Sequence, residues 1–283
     1  MSDTPFAVAF ALLGFAANSV LCRMALRDTG IDAASFTSVR LVTGAVVLMG
    51  LTLALRGVRR PGGNWWSAAL LWVYAAAFSY AYLGVTTGTG ALLLFGAVQV
   101  IMIAAGLRAG ERVDLPVALG WLLAVAGIVV LVLPGVAAAP LANGALMLLA
   151  GGAWGWYTLR GRGSADPLGD TGGNFLRAVP AALLLSMARW PAHALPFRGV
   201  ALAVLSGGIA SGLGYAAWYA ALPRLRAITA ANLQLLVPVL AALCGVVLFD
   251  EAVTLRLVAA TVCVLGGVTA ATHALRSRSA TPR

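Results

Sequence analysis

Twenty-one consecutive residues without a charge, Ile228 to Leu248, constrain this chain more than any other feature. At helical rise they are long enough to cross a bilayer as one helix. The surrounding stretch, Ala227 to Glu251, carries Asn232, Gln234 and Pro238 inside it, insertions that are uncommon in lipid. A second stretch of the same design, Thr87 to Glu111, lies 140 residues earlier and also ends in a small loop with a glutamate. Beyond the glutamates the pattern continues alike: Glu111, Val113, Leu115 and Gly127 fall at the spacing of Glu251, Val253, Leu255 and Gly267 without a gap. Identity between the copies is low, so hydropathy register and spacing carry the duplication. The chain reads as two repeats, 1–137 and 138–283.

Composition agrees with a bundle in lipid, since 61% of residues are hydrophobic and only 10% charged. Apolar runs lie at about 6–26, 34–55, 65–86, 88–107, 115–133, 141–159, 174–190, 199–221, 228–249 and 256–275. The expected fold class is an all-α membrane protein of ten transmembrane helices. Connections are short, so function must lie within the bundle. All 19 basic residues are arginine, and a net charge of +10 in a soluble protein would suggest nucleic acid. Here the arginines stand at segment ends, where they read as topology signals and lipid-headgroup contacts; nucleic acid is not an expected partner. Cys22, Cys244 and Cys263 all fall in apolar runs, as packed free thiols do. The start, MSDTP, has Asp3 in place of a basic n-region, so no cleavable leader is expected.

Counted by alternate loops, twelve arginines fall on one side and five on the other, with Arg40 and Arg177 set aside as intramembrane. The positive-inside rule then puts both termini in the cytoplasm. Trp65 and Trp66 at the start of the third run, and Trp190 at the end of the seventh, suit interfacial anchors. Five helices per half force the second half to enter from the opposite side, so the repeats are inverted. Secondary transporters whose halves rock about a central site are built this way.

Candidate cavity residues follow from spacing. Tyr74, Phe78 and Tyr82 recur every four residues on the third helix; Ser211, Tyr215 and Trp218 form a stripe on the eighth, and Trp154 and Tyr157 pair on the sixth. Either packing or a substrate cavity explains such aromatics. Asn18 and Gln99 fall near the midplane, where a bare amide costs a few kcal/mol, so each needs a partner from a neighbouring helix or from a cavity. Pro238 deprives the carbonyl of Gln234 of its helical donor, giving a kink or an acceptor for a substrate ammonium. The expected substrate-binding set is therefore Asn18, Tyr74, Tyr82, Gln99, Trp154, Tyr157, Tyr215, Trp218 and Gln234. Amides and carbonyls would hold an ammonium, indole and phenol groups a carboxylate, and ring faces an apolar side chain.

Pro238, Arg40 and Arg177 are the expected hinge or gate positions. Arg40, with Asp28 and Asp32 near in sequence, and Arg177, with Asp166 and Asp170, each read as close to one membrane face. There they would snorkel to loops and headgroups, or gate by pairing with a carboxylate. Glu111 and Glu251 read as loop-anchoring helix caps. Clustered glycines on the sixth and eighth helices suit close packing or hinging. An intramembrane hydrolase would need a nucleophile with a base, yet the histidines are His193 in a loop and His273 near a helix end, and GIASG has the wrong spacing for a nucleophile elbow. No Cys, His or carboxylate cluster has metal-ligand spacing, so no enzyme, metal or cofactor is expected. A receptor or scaffold would keep ten helices but need no midplane amides.

The runs YLGVTTGTGALLLFGAVQVIMIAAGLRAGERVDLPVALGWLLAVAGIVVL and WYAALPRLRAITAANLQLLVPVLAALCGVVLFDEAVTLRLVAATVCVLGGV resemble the paired EamA domains of the drug/metabolite transporter superfamily. The resemblance spans nearly the whole chain and takes in Arg40 in FTSVRLVTG, Arg177 in GNFLRAVPA, Glu111 and Glu251. In length and ten-helix form it is similar to YddG-type amino-acid exporters of bacteria. The chain departs from the pattern at Val98, which stands where the second copy has Pro238, and at GFAANSV, where the family often has a tryptophan. The resemblance implies a monomeric carrier in the bacterial inner membrane. Its expected substrate is a neutral or zwitterionic small metabolite, an amino acid first. A cation carrier would want an intramembrane carboxylate and a phosphorylated-sugar carrier a cluster of buried bases, and the sequence offers neither. With all nine carboxylates assigned to termini or loops, transport is expected to be facilitative rather than proton-coupled.

Overall fold

The computed structural model describes residues 3–57, 60–108, 115–132, 139–189, 195–225 and 233–279. These residues form helices α1 Asp3–Asp28, α2 Ala33–Arg56, α3 Trp65–Ala81, α4 Thr87–Arg108, α5 Leu115–Val132, α6 Leu141–Gly161, α7 Pro167–Met187, α8 Phe197–Ala221, α9 Leu236–Phe249 and α10 Leu255–Ser279, with no strand among them. By length and composition, Thr4–Asp28, Ala33–Arg56 and Phe197–Ala221 are sufficient to cross a membrane, and Thr87–Met102, Leu115–Val130, Leu236–Phe249 and Leu255–Ala271 are shorter apolar helices. Glu111, Asn232, Trp190 and His193 lie outside the described residues.

Helix starts follow local chemistry. Asp32 caps α2 by accepting from the amides of Ala34 and Ser35, Asn64 caps α3 through Ser67, and Asp166 caps α7 through Gly169. Pro167 at the first position of α7 suits a helix start, because its missing N–H would have no intrahelical partner there. The seventh run therefore begins at Pro167 rather than 174, and Asp170, expected in a loop, stands in the first helical turn. The ninth run is interrupted: Leu233 and Gln234 are helical, Leu235 is a turn residue, and α9 starts at Leu236. That break falls where Pro238 withdraws the donor for the Gln234 carbonyl.

α2 packs on α7, α3 on α6, α4 on α6 and α9, and α1 on α8 and α9, while α5 and α10 form the most extensive pair. The α5–α10 crossing is close because it is built on glycine. A Cβ at Gly120 would meet the carbonyl of Gly267, and one at Gly267 the carbonyl of Gly120. Large apolar side chains such as Leu122, Leu184 and Val247 point outward, as lipid-facing surfaces do. Trp65 and Trp66 are exposed at the start of α3, where interfacial anchors are expected.

The middle of α8 is not α-helical. Leu205–Leu213, LSGGIASGL, forms a π-helical segment packed against α2 and α1. Glycine makes that approach possible: a Cβ at Gly207 would collide with the Arg40 carbonyl and the Thr43 hydroxyl.

Candidate functional site

Five helices converge on a narrow aromatic cavity of about 10 Å³, room for a single water. Its walls are Phe15 and Ser19 of α1, Tyr74 and Phe78 of α3, Ala91, Leu94 and Phe95 of α4, Trp154 of α6 and Tyr215 of α8. The rings lock one another edge to face or tilted: Phe15 lies 5.9 Å from Trp154 and 5.8 Å from Tyr215, Tyr74 5.1 Å from Trp154, and Trp154 4.8 Å from Tyr215. An amino acid does not fit in this state.

Beside the cavity runs a polar chain linking α1, α8, α2 and α3. Ser206 Oγ donates to Asn18 Oδ1 at 2.7 Å, and Asn18 Nδ2 donates to Ser211 Oγ at 3.1 Å. Arg40 Nε donates to the same Ser211 oxygen at 3.2 Å, and its Nη2 to Tyr74 Oη at 2.9 Å. The π register explains how two hydroxyls reach one amide, because residues five apart stack where i→i+5 bonding replaces i→i+4. Ser206 and Ser211 are so spaced.

Arg40 does not extend to a loop or to the protein surface, as the snorkelling role expected of it requires. It is 1% exposed, with its guanidinium carbon 5.2 Å from the Tyr74 ring centroid and 4.9 Å from that of Phe78. Asp28 instead pairs with Arg27, and Asp32 caps α2. Arg177 does stay at a loop, donating to the carbonyls of Gly62 and Gly173.

The other expected residues distribute around this centre. Tyr74, Trp154 and Tyr215 line the cavity, and Asn18 joins it through Ser211. Trp218 is fully buried 5.6 Å from Phe15, its indole nitrogen without a protein partner. Tyr82 packs on Phe78 at 4.8 Å and its hydroxyl reaches the Thr87 carbonyl. Tyr157 stacks on Trp154 but turns its hydroxyl toward Asn174 Nδ2, in a polar recess shared with Asn64, Arg160 and Asp170. Gln99 and Gln234 are buried away from the cavity walls, and Pro238 is buried in the first turn of α9. Phe15, Phe95, Ser19 and Ser206 were not picked out by sequence spacing. Phe15, Asn18 and Ser19 share a face at three- and four-residue intervals, a signal masked by the uniformly apolar neighbourhood.

Both ends of the bundle are tied. At the end holding the α1 C-terminus, Glu251 accepts from the Thr87 amide at 2.9 and 2.8 Å and from its hydroxyl at 3.0 Å, so it caps α4 as a loop anchor. Arg23 lies 3.6 Å from Glu251 and donates to the Tyr82 carbonyl, while Arg27 donates to that of Phe249. At the other end Arg56 pairs with Asp166, and Asp170 accepts from the Gly63 amide at 2.7 Å. A groove of about 870 Å³ opens at this second end between α1 and α9, walled by Thr4, Val8, Leu12, Arg224, Leu233 and Leu236.

The model of the EamA-like transporter family matches residues 143–272. An uncharacterized protein, PA1977, from Pseudomonas aeruginosa is 57% identical over 262 residues, covering 91% of this chain and 90% of its own. A solved structure described only as "Crystal structure of protein" superposes with a TM-score of 0.71 at 21% identity, covering 99% of this chain and all of that one, a likeness of fold.

Proposed function

The chain belongs to the EamA-like transporter family, a family of multi-pass membrane transporters, and from that premise we propose that it exports neutral or zwitterionic small metabolites, amino acids first, across the bacterial inner membrane. One observation carries the reading: a narrow aromatic cavity at the convergence of α1, α3, α4, α6 and α8, with polar groups beside it, in a bundle tied at each end by an ion pair. Aromatic walls with a few convergent polar groups suit a small amphipathic solute. In this reading ten spans form two inverted five-helix repeats, 1–137 and 138–283, with both termini cytoplasmic and one chain as the working unit. Contacts support the two-fold relation. Gly120 meets Gly267 across the α5–α10 crossing, and the pair that a shift of 140 residues generates, Gly127 with Ala260, meets there too.

Alternating access then has a physical form. Parting the Arg23–Glu251–Thr87 cluster opens the cavity outward, and the 870 Å³ groove marks the cytoplasmic approach. The described carboxylates stand at helix ends or in turns, which supports facilitative movement over proton coupling. Proteoliposomes reconstituted with the protein and loaded with labelled amino acids should release label down its gradient, independently of an imposed pH step. Release no faster than from empty liposomes would end the amino-acid reading, and accumulation that needs the pH step would end the facilitative one.

A further inference from the structure

The function proposed above makes no use of Arg40, a charge buried inside the bundle with one nitrogen of its guanidinium unpartnered. Its two bonded nitrogens meet neutral oxygens, Ser211 Oγ and Tyr74 Oη, and its third, Nη1, is buried without a protein partner. The ion pairs of the described residues leave it out: Glu251 pairs with Arg23, Asp28 with Arg27 and Asp166 with Arg56. Asp170 holds the Gly63 amide. A cation taken out of water is costly unless an anion meets it, and an ionisable group inside a membrane protein that lacks one marks a place where one arrives.

We infer that Arg40 is the anchor for a carboxylate of the transported molecule. The guanidinium lies over the rings of Tyr74 and Phe78, and both rings are walls of the central cavity, so a small displacement of either brings the arginine and a solute face to face. Guanidinium and carboxylate match as fork to fork, with Nη1 and Nη2 as the two donors. A single buried arginine neutralises one negative charge. A phosphate dianion would call for further bases, and Arg23 is held by Glu251 and the Tyr82 carbonyl. With the carboxylate on Arg40, a substrate ammonium faces the rings of Phe15, Trp154 and Tyr215, whose π faces attract cations. The pairing selects zwitterions and rejects amines that lack the acid. It replaces the indole and phenol groups expected from sequence as the carboxylate's principal partner.

This inference rests on the cavity being the transport site, and the experiment separates the two. The full chain purified in detergent is titrated with each proteinogenic amino acid, its methyl ester and its decarboxylated amine, with sodium chloride and sodium phosphate alongside, and the melting temperature is read. At least one free amino acid should stabilise the wild type, its ester and amine should bind at least tenfold more weakly, and Arg40→Gln should lose the difference while Arg40→Lys retains part of it. Equal stabilisation by acid and ester, an unchanged response in Arg40→Gln, stabilisation by chloride or phosphate alone, or no stabilisation by any acid overturns the assignment. Should Arg40→Gln not fold, the acid-against-ester comparison on the wild type decides. Flux in proteoliposomes is scored separately: acid-selective binding without flux removes the transport reading and leaves the arginine's role, whereas equal flux of acid and ester does the reverse.

Discussion

Arg40 and Arg177 stand in helices that pack against each other, α2 and α7, and similar sequence contexts give them opposite lives. Arg177 follows its N-cap, Asp166, by eleven residues and lays its side chain back toward the α7 N-terminus, where the loop carbonyl of Gly62 and the α7 carbonyl of Gly173 receive it. Arg40 follows its N-cap, Asp32, by eight, and at that depth the neighbours are Tyr74, Phe78 and the π segment rather than a loop. The residue eight beyond Asp166 is Asn174, a neutral amide that bonds to Tyr157. One helix thus brings a charge to the middle and its partner an uncharged donor. Arg177 is a fastening; Arg40 is poorly satisfied by its own protein, which is common at sites where function overrides local stability.

The sharpest way to break that contrast is to remove the surface on which Arg40 rests. Gly207→Leu would drive a side chain into the Arg40 carbonyl and Thr43, and we expect a loss of about 3 kcal/mol, the upper part of the overpacking range, read as a lowered melting temperature. Gly152→Ala, with open space at its Cβ, should change little or stabilise slightly, and equal losses in both would mean that the π segment does not depend on close approach. Next in size is the exchange of roles between the two arginines. Arg177→Gln removes charge-assisted bonds to two carbonyls and should cost about 2 kcal/mol of stability, whereas Arg40→Gln should leave stability within about 0.5 kcal/mol because it also removes a buried unpaired charge. Chemical unfolding of the two variants side by side checks this. A larger loss at Arg40 would make it the structural member of the pair.

Much of the bundle was legible in the sequence, because helix-length apolar runs and the charges between them are direct consequences of the bilayer's thickness. Asp166 and Pro167 form a helix-start signature for α7, but Asp170 in the first turn interrupts its hydropathy, so the apolar run begins only at 174. The aromatic stripes on α3 and α8 could be read from four-residue spacing, and the structure brings Tyr74 and Tyr215 to one cavity wall. Three features could not be read. The π turn depends on α2 pressing against Gly207, a contact between distant segments; the partnership of Asn18 with two serines depends on that turn; and the depth of Arg40 depends on where its N-cap falls and on what faces it. Spacing alone treats all helices as α and all arginines near a helix start as surface-seeking.

A small expected change in stability at Asn18 is also the most informative about Arg40. Asn18 and Arg40 share one hydroxyl, that of Ser211, so Asn18→Asp installs a carboxylate one group away from the unpaired guanidinium. Its oxygens can still accept from Ser206 and Ser211, but the Nδ2 donor to Ser211 is lost. Burying a second charge carries a desolvation cost that a well-placed partner roughly offsets, so the melting free energy should shift by less than about 1 kcal/mol in either direction. Binding should respond quite differently: with an internal anion already on Arg40, a solute carboxylate has no free cation to meet, and acid-selective stabilisation should disappear. Should Asn18→Asp instead destabilise by about 3–5 kcal/mol, as an uncompensated buried charge does, Arg40 would not be free to pair. The contrast between the two arginines would then rest on packing alone.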